Sequence, residues 1–209
     1  EVARLDSAIC SANQRRNYLN SISQRSCLFT RFNNLILLDR CYKSKVVKAN
    51  VLNDIMLYCA NLTEIRLYSR SESDNVLCDL IRASTKLKSL YLNDRKITLP
   101  LLSTICTCST LRHVSFESCA LHEDAVNYAG FSAHVTSLSC DDCDTFYKFF
   151  PNILELDADD IHINTLDKLV VRSRCVKKAI LYVESSNSAP EPAIPHSTVL
   201  KIVENWKHI

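Results

Sequence analysis

Leu111, Val114, Phe116, Cys119 and Leu121 stand in the order L-x-x-V-x-F-x-x-C-x-L. That spacing constrains the fold more than any other feature of the chain. Leu111, Val114 and Phe116 read as the inward positions of a short strand, because apolar residues alternate there with polar ones. Cys119 then supplies a small side chain that can bond backbone groups where the chain turns off the strand. Leu121 returns to the core. The pattern recurs. Leu87, Leu90, Leu92 and Ile97 repeat it 24 residues earlier, and Val135, Leu138, Cys140 and Cys143 repeat it 24 later. Further copies start at Phe32 (with Leu35 and Leu37), Leu62 (with Ile65 and Leu67), Ile153 (with Leu156, Ala158, Ile161 and Ile163) and Val176 (with Ala179 and Leu181). The spacings from Phe32 onward are 30, 25, 24, 24, 18 and 23 residues, so the joints of 30 and 18 depart from the common period.

Helical patterns lie between these strands. Val47–Tyr58 carries Val51, Ile55 and Tyr58 at helical spacing. Asp74–Ala83 places Val76, Leu77, Leu80 and Ile81 on one side, with Ser73 as N-cap. Pro100 suits the first turn of a helix running to Cys108. His122-Glu123-Asp124 opens a helix from Ala125 to Phe131, with acids at the favoured end. Residues 144–150 form one or two turns. Asn164 caps 166–171, and Ser197 caps 199–206. Ser185–His196, with Pro190, Pro192 and Pro195, is a loop inside the last unit. Near the start, Val2, Leu5 and Ile9 share a helical face, and Arg15–Leu19 suggests a second short helix. Past Trp206, which should pack on the last helix, His208-Ile209 would enter another strand.

Units of strand, turn and helix, mostly within the window of about 20–29 residues, resemble leucine-rich repeats. The expected fold is therefore α/β: a leucine-rich repeat solenoid with a curved parallel sheet on the concave face and helices on the convex face. Residues 32–209 would form an array of about six or seven repeats, and residues 1–31 a helical N-terminal cap over its open edge. Cysteine in the turn slot is similar to the cysteine-containing repeats of F-box proteins and to the ribonuclease-inhibitor class. Glu1–Cys10 with Arg15–Leu19 is similar to the second half of an F-box, which implies docking of residues 2–19 on a cullin-ligase adaptor.

Composition removes several alternatives. Gly130 is the only glycine, which argues against phosphate-cradling loops. A net charge of +2 gives no case for a nucleic-acid or membrane surface. No apolar run reaches about 18 residues. The eleven cysteines sit mostly in apolar repeat positions, where free cysteine acts as a small hydrophobe, so a reducing compartment is expected. Cys140 points inward and Cys143 fills the turn slot, which argues against zinc or redox use of this C-x-x-C. Cys106-x-Cys108, the Asp141–Asp142 pair and the aspartates at 157, 159 and 160 lack the spacing of metal sites. No Cys–His pair marks a nucleophile. No metal, no cofactor and no enzymatic activity are expected.

Stacked strands lie about 5 Å apart, so outward positions of successive units form columns. One runs Leu38, Tyr68, Asn93, Glu117, Asp141, Asp159, Tyr182. The next runs Ile36, Arg66, Tyr91, Ser115, Ser139, Asp157, Ile180. The third runs Asn34, Glu64, Ser89, His113, Ser137, Glu155, Lys178. Glu117, Asp141 and Asp159 with Glu155 and Asp157 should form an acidic patch matched to a basic protein segment. Arg66, Lys88, Arg112 and Tyr91 form a basic-aromatic end beside it. Tyr68, Tyr91 and Tyr182 are the anchor candidates, since aromatics carry interface energy. His113 is expected to be solvated, and lysine at both 141 and 159 should abolish partner binding while leaving the melting temperature nearly unchanged. The expected function is a non-enzymatic protein-interaction scaffold in the cytoplasm, a ubiquitin-ligase substrate receptor in its F-box form. The alternative is a secreted pathogen effector, delivered into a host cell and acting in it or recognised by it.

Overall fold

The computed structural model describes residues 2–6, 34–38, 61–68, 73–161, 170 and 175–183. The helices expected at 15–19, 47–58 and 199–206, and the loop at 185–196, lie outside the described residues. So does the expected 166–171 helix apart from Val170, which is helical and buried.

Among the described residues eight strands form one sheet, each parallel to its neighbours. They are β1 (Val2–Asp6), β2 (Asn34–Leu38), β3 (Glu64–Leu67), β4 (Ser89–Asn93), β6 (His113–Glu117), β8 (Ser137–Cys140), β9 (Glu155–Ile161) and β10 (Lys178–Val183). Their spatial order follows the sequence. The remaining strands, β5 (Lys96–Ile97) and β7 (Ala120–Leu121), pair with each other. One long strand per unit, all parallel, is the α/β arrangement that leucine-rich repeats build. The irregular spacings do not disturb it. Leu35 pairs with Ile65 across the joint of 30, and Leu138 pairs with Leu156 across the joint of 18. In the shorter unit only α3 (Cys143–Phe146) and a 3-10 turn (Tyr147–Phe149) link the strands, so little chain is needed.

The core follows from the alternation. Ile65, Leu67, Leu90, Leu92, Val114, Phe116, Leu138, Cys140, Leu156 and Ala158 are all buried, while the intervening residues of these strands remain partly or fully exposed. Phe116 stacks on Phe146 of α3, with ring centres 4.2 Å apart. Between β3 and β4 lies α1 (Asp74–Ala83), which buries Leu77, Cys78, Leu80 and Ile81. The Ser73 hydroxyl accepts from the Val76 amide, as expected of an N-cap. Next to it is α2 (Leu99–Thr107), with Pro100 in its first turn. Arg82 of α1 donates to Thr104 Oγ1 of α2 at 3.1 Å.

Two elements differ from expectation. Val2–Asp6 is a strand, not the start of a helical cap. It pairs with β2, with Ala3 opposite Leu35 and Leu5 opposite Leu37. A short apolar segment satisfies both a helical and an alternating period; the parallel partner decides between them. The rest of residues 1–31 lies outside the described residues. The second correction concerns Ala125–Phe131. Only a 3-10 turn over Glu123–Ala125 forms there. Val126 and Phe131 are 49% and 60% exposed, and only Ala125 and Tyr128 of the segment pack on the core, a contact too narrow to hold a helix there. Ser132 pins it instead: its amide donates to Phe149 O, and its hydroxyl accepts from the amides of His134 and Val135.

Candidate functional site

The turns position the ends of the face. Cys119 is buried, and its Sγ lies 3.4 Å from Leu92 O and 3.3 Å from Glu117 O, so the thiol serves backbone carbonyls of its own unit and of the preceding one. Burial pushes its pKa up to about 11, which keeps it protonated and a donor. Ser118, just before it, has φ 50°, and Asp94, 24 residues earlier, has φ 54°. The slot equivalent to Cys119 in that earlier unit holds Arg95, a residue the apolar pattern does not flag. Arg95 is buried and meets the Asp74 carboxylate at 2.7 Å.

The polar face of the sheet carries the candidate site. Strand pairing brings two of the expected columns into register. Arg66, Tyr91, Ser115, Ser139, Asp157 and Ile180 form one row, and Glu64, Ser89, His113, Ser137, Glu155 and Lys178 the next. A cavity of about 300 Å³ opens over them, lined by Tyr91, His113, Ser137, Glu155, Asp157 and Lys178 among others.

One wall is a stack. The Arg66 guanidinium lies 3.9 Å from the Tyr91 ring centre, within cation–π range. Tyr91 in turn meets the His113 ring at 4.8 Å. Arg66 Nε donates to Glu64 Oε1; that bond, opposed by burial and aided by Tyr68, holds the guanidinium in its charged form. Burial raises the Tyr91 phenol above its ordinary pKa despite the Arg66 charge.

His113 corrects the expectation of a solvated ring. It is only partly exposed, and its Nδ1 is 2.8 Å from Ser137 Oγ. Its Nε2 is buried without a hydrogen-bond partner. Burial first, then the Arg66 charge, lowers its pKa, against the opposing pull of Glu155, Glu64 and Asp157. The ring is therefore neutral near pH 7.

The other expected residues are distributed as follows. Glu155 and Asp157 are exposed and face the cavity. Tyr182 is 60% exposed and Ile180 42%, so an apolar shoulder flanks the cavity on β10. Tyr68 follows β3 and is half-buried. Glu117 is exposed, and the pairing of Phe116 with Cys140 brings Asp141 to its side. Asp141 is not a free surface charge, however. Its Oδ2 accepts from the Ser118 amide at 2.6 Å, so it holds the left-handed turn of the neighbouring unit, and lysine there would remove that acceptor. The side chain of Asp159 lies outside the described residues. Lys88 and Arg112 are exposed, but Arg112 bonds the carbonyls of Ser109 and Leu111; neither lines the cavity.

Among the described residues no group of His, Cys, Asp and Glu could hold a metal ion, and no helix is long and apolar enough to cross a membrane. Cys78, Cys106, Cys119, Cys140 and Cys143 are buried thiols, and Cys175 is an exposed one.

No family model and no curated protein matches the chain. Among solved structures it is similar to an internalin (inlF) of Listeria monocytogenes, at 12% identity and a TM-score of 0.41. That match covers 87% of this chain and 48% of the internalin, so the chain spans about half the length of that protein. A likeness at this level carries no argument; the repeat register and the parallel sheet carry the fold.

Proposed function

We propose that this chain is a protein-interaction scaffold whose open sheet face holds an extended segment of another protein. The observation that carries this reading is the composition of that face. Tyr91, His113, Glu155, Asp157 and Ile180 line one cavity, and Tyr182 stands exposed two residues further along β10. Aromatic and aliphatic anchors beside unspent charges are what protein interfaces use. Glu117, exposed near the same face, extends the acidic character toward a basic partner. Arg66 and Tyr68 bound the face on the β3 side.

The wider architecture in this proposal is a solenoid with a concave sheet and convex helices, of the cysteine-containing subclass. The bonds of Cys119 to two carbonyls support that subclass. The sheet includes β1, and a division at residue 31 between an N-terminal cap and the repeat array belongs to this proposal. Docking of residues 2–19 on a cullin-ligase adaptor loses its main support, because an F-box is helical and Val2–Asp6 pairs as a strand.

The test is selection of displayed, unstructured peptides on the immobilised chain. Binders are expected to lose at least tenfold in affinity against Tyr182→Ala and Ile180→Ser, whose exposed side chains leave the fold unchanged. Binders indifferent to both substitutions and to Asp157→Lys would place the interface elsewhere and overturn the proposal.

A further inference from the structure

We infer that the valley between the Tyr91–His113 wall and strand β9 is a receptor for one arginine side chain of the bound segment. This rests on the reading of the sheet face as a peptide-binding surface and names the chemistry that face selects.

The shape comes first. In one row Tyr91, Ser115, Ser139 and Asp157 follow each other across β4, β6, β8 and β9; in the other, His113, Ser137 and Glu155 do so across β6, β8 and β9. Serines therefore floor the depression, and larger side chains rise on either side. At about 4.8 Å per strand, Tyr91 and Asp157 stand roughly 14 Å apart at the backbone. An extended chain can lie above this opening and send one long side chain in.

The charges come second. Arg66 is spent: it donates to Glu64 and lies over Tyr91. His113 is neutral near pH 7. Glu155, Asp157 and Lys178 line the cavity, and none of the three makes a hydrogen bond or ion pair among the described residues. Two free carboxylates against one ammonium leave the valley with a net charge of −1, so it favours a cation.

The geometry then selects among cations. Glu155 and Asp157 are alternate residues on one strand, about 7 Å apart. A compact ammonium satisfies one carboxylate at a time. A guanidinium presents five donors in a planar fork, reaching both carboxylates and the serine oxygens between them. Ile180, paired with Asp157 across β9 and β10, offers apolar surface to its methylene stem.

The experiment titrates the Nα-acetylated amides of arginine, of lysine and of citrulline, the uncharged isostere, into the full chain, followed by amide NMR. Arginine amide is expected to give saturable shifts confined to Ser137, Ser139, Glu155, Asp157 and Lys178, at least fivefold tighter than lysine amide, with none from citrulline amide. Glu155→Gln with Asp157→Asn, which keeps side-chain volume and an unchanged spectrum elsewhere, should weaken arginine at least tenfold. Diffuse, unsaturable shifts, or equal affinity in the double variant, overturn the inference. The two readings fail separately. Selected peptides that need Tyr182 but contain no arginine defeat the receptor and spare the interface. Saturable arginine binding without any peptide binder does the reverse.

Discussion

Arg95 occupies the slot where the next unit places Cys119, and its removal from solvent makes one prediction unusually sharp. Its side chain is 4% exposed and pairs with Asp74 Oδ1 at 2.7 Å, while the Asp74 side chain is 18% exposed. Thr98 donates to the other carboxylate oxygen, and Asp74 is also the first residue of α1. Removing one partner of a buried pair costs about 3–5 kcal/mol, because the remaining charge stays buried. Asp74→Ala should fall at the lower end, about 3 kcal/mol, since Arg95 keeps other interactions and some water can reach the vacated space. That figure includes roughly 0.5 kcal/mol for the charge lost at the helix N-terminus. Arg95→Cys is different: it restores the residue type of the slot and leaves a carboxylate that retains Thr98, the helix end and partial solvent. Its cost should be about 1–2 kcal/mol, mainly from lost packing. The double variant should therefore be more stable than Asp74→Ala alone, with a coupling of about 2 kcal/mol. Urea unfolding followed by far-ultraviolet circular dichroism, with unchanged m-values, measures all three. A loss below about 1 kcal/mol in Asp74→Ala, or simple additivity in the double variant, would show that Arg95 is not held as a buried cation by Asp74.

Three further outcomes follow from the same geometry. His113 has a lowered pKa when folded, so below about pH 6.5 the unfolded chain takes up a proton that the folded chain resists. Its contribution is constant above that pH and becomes destabilising as pH falls; His113→Gln should lose less stability than the parent between about pH 7.5 and about pH 5, and identical slopes in chemical denaturation would contradict the burial argument. Among the described thiols, Cys175 should react first with an aromatic disulfide reagent, while Cys106, pushed up to about 12, and Cys119, pushed up to about 11, wait for unfolding; peptide mapping that finds Cys119 modified as fast as Cys175 would refute this order. Asp141→Ala should cost about 1 kcal/mol by removing the acceptor of the Ser118 amide, whereas Glu117→Ala should change thermal stability by less than about 0.5 kcal/mol.

What could be read without coordinates was whatever repeats or acts locally. The apolar spacing around Leu90, Val114 and Leu138 determined strand positions and register, because alternation records which side of a strand is buried. Ser73 and Pro100 marked two helix starts, because caps act within one turn. The row through Arg66, Tyr91, Asp157 and Ile180 followed from the same alignment. Only the tertiary structure decided which outward residues are free. Asp141 looks like Glu117 in the sequence, yet one serves a neighbouring turn. His113 looks solvent-facing, yet Tyr91 and Ser137 from the adjoining strands cover it. Arg95 breaks the apolar pattern, yet it fills a core slot because Asp74 arrives from a helix 21 residues away. Val2–Asp6 becomes a strand because β2 lies alongside it. In each case the deciding partner belongs to another repeat, and periodicity reports the side a residue faces but not the neighbour it meets there.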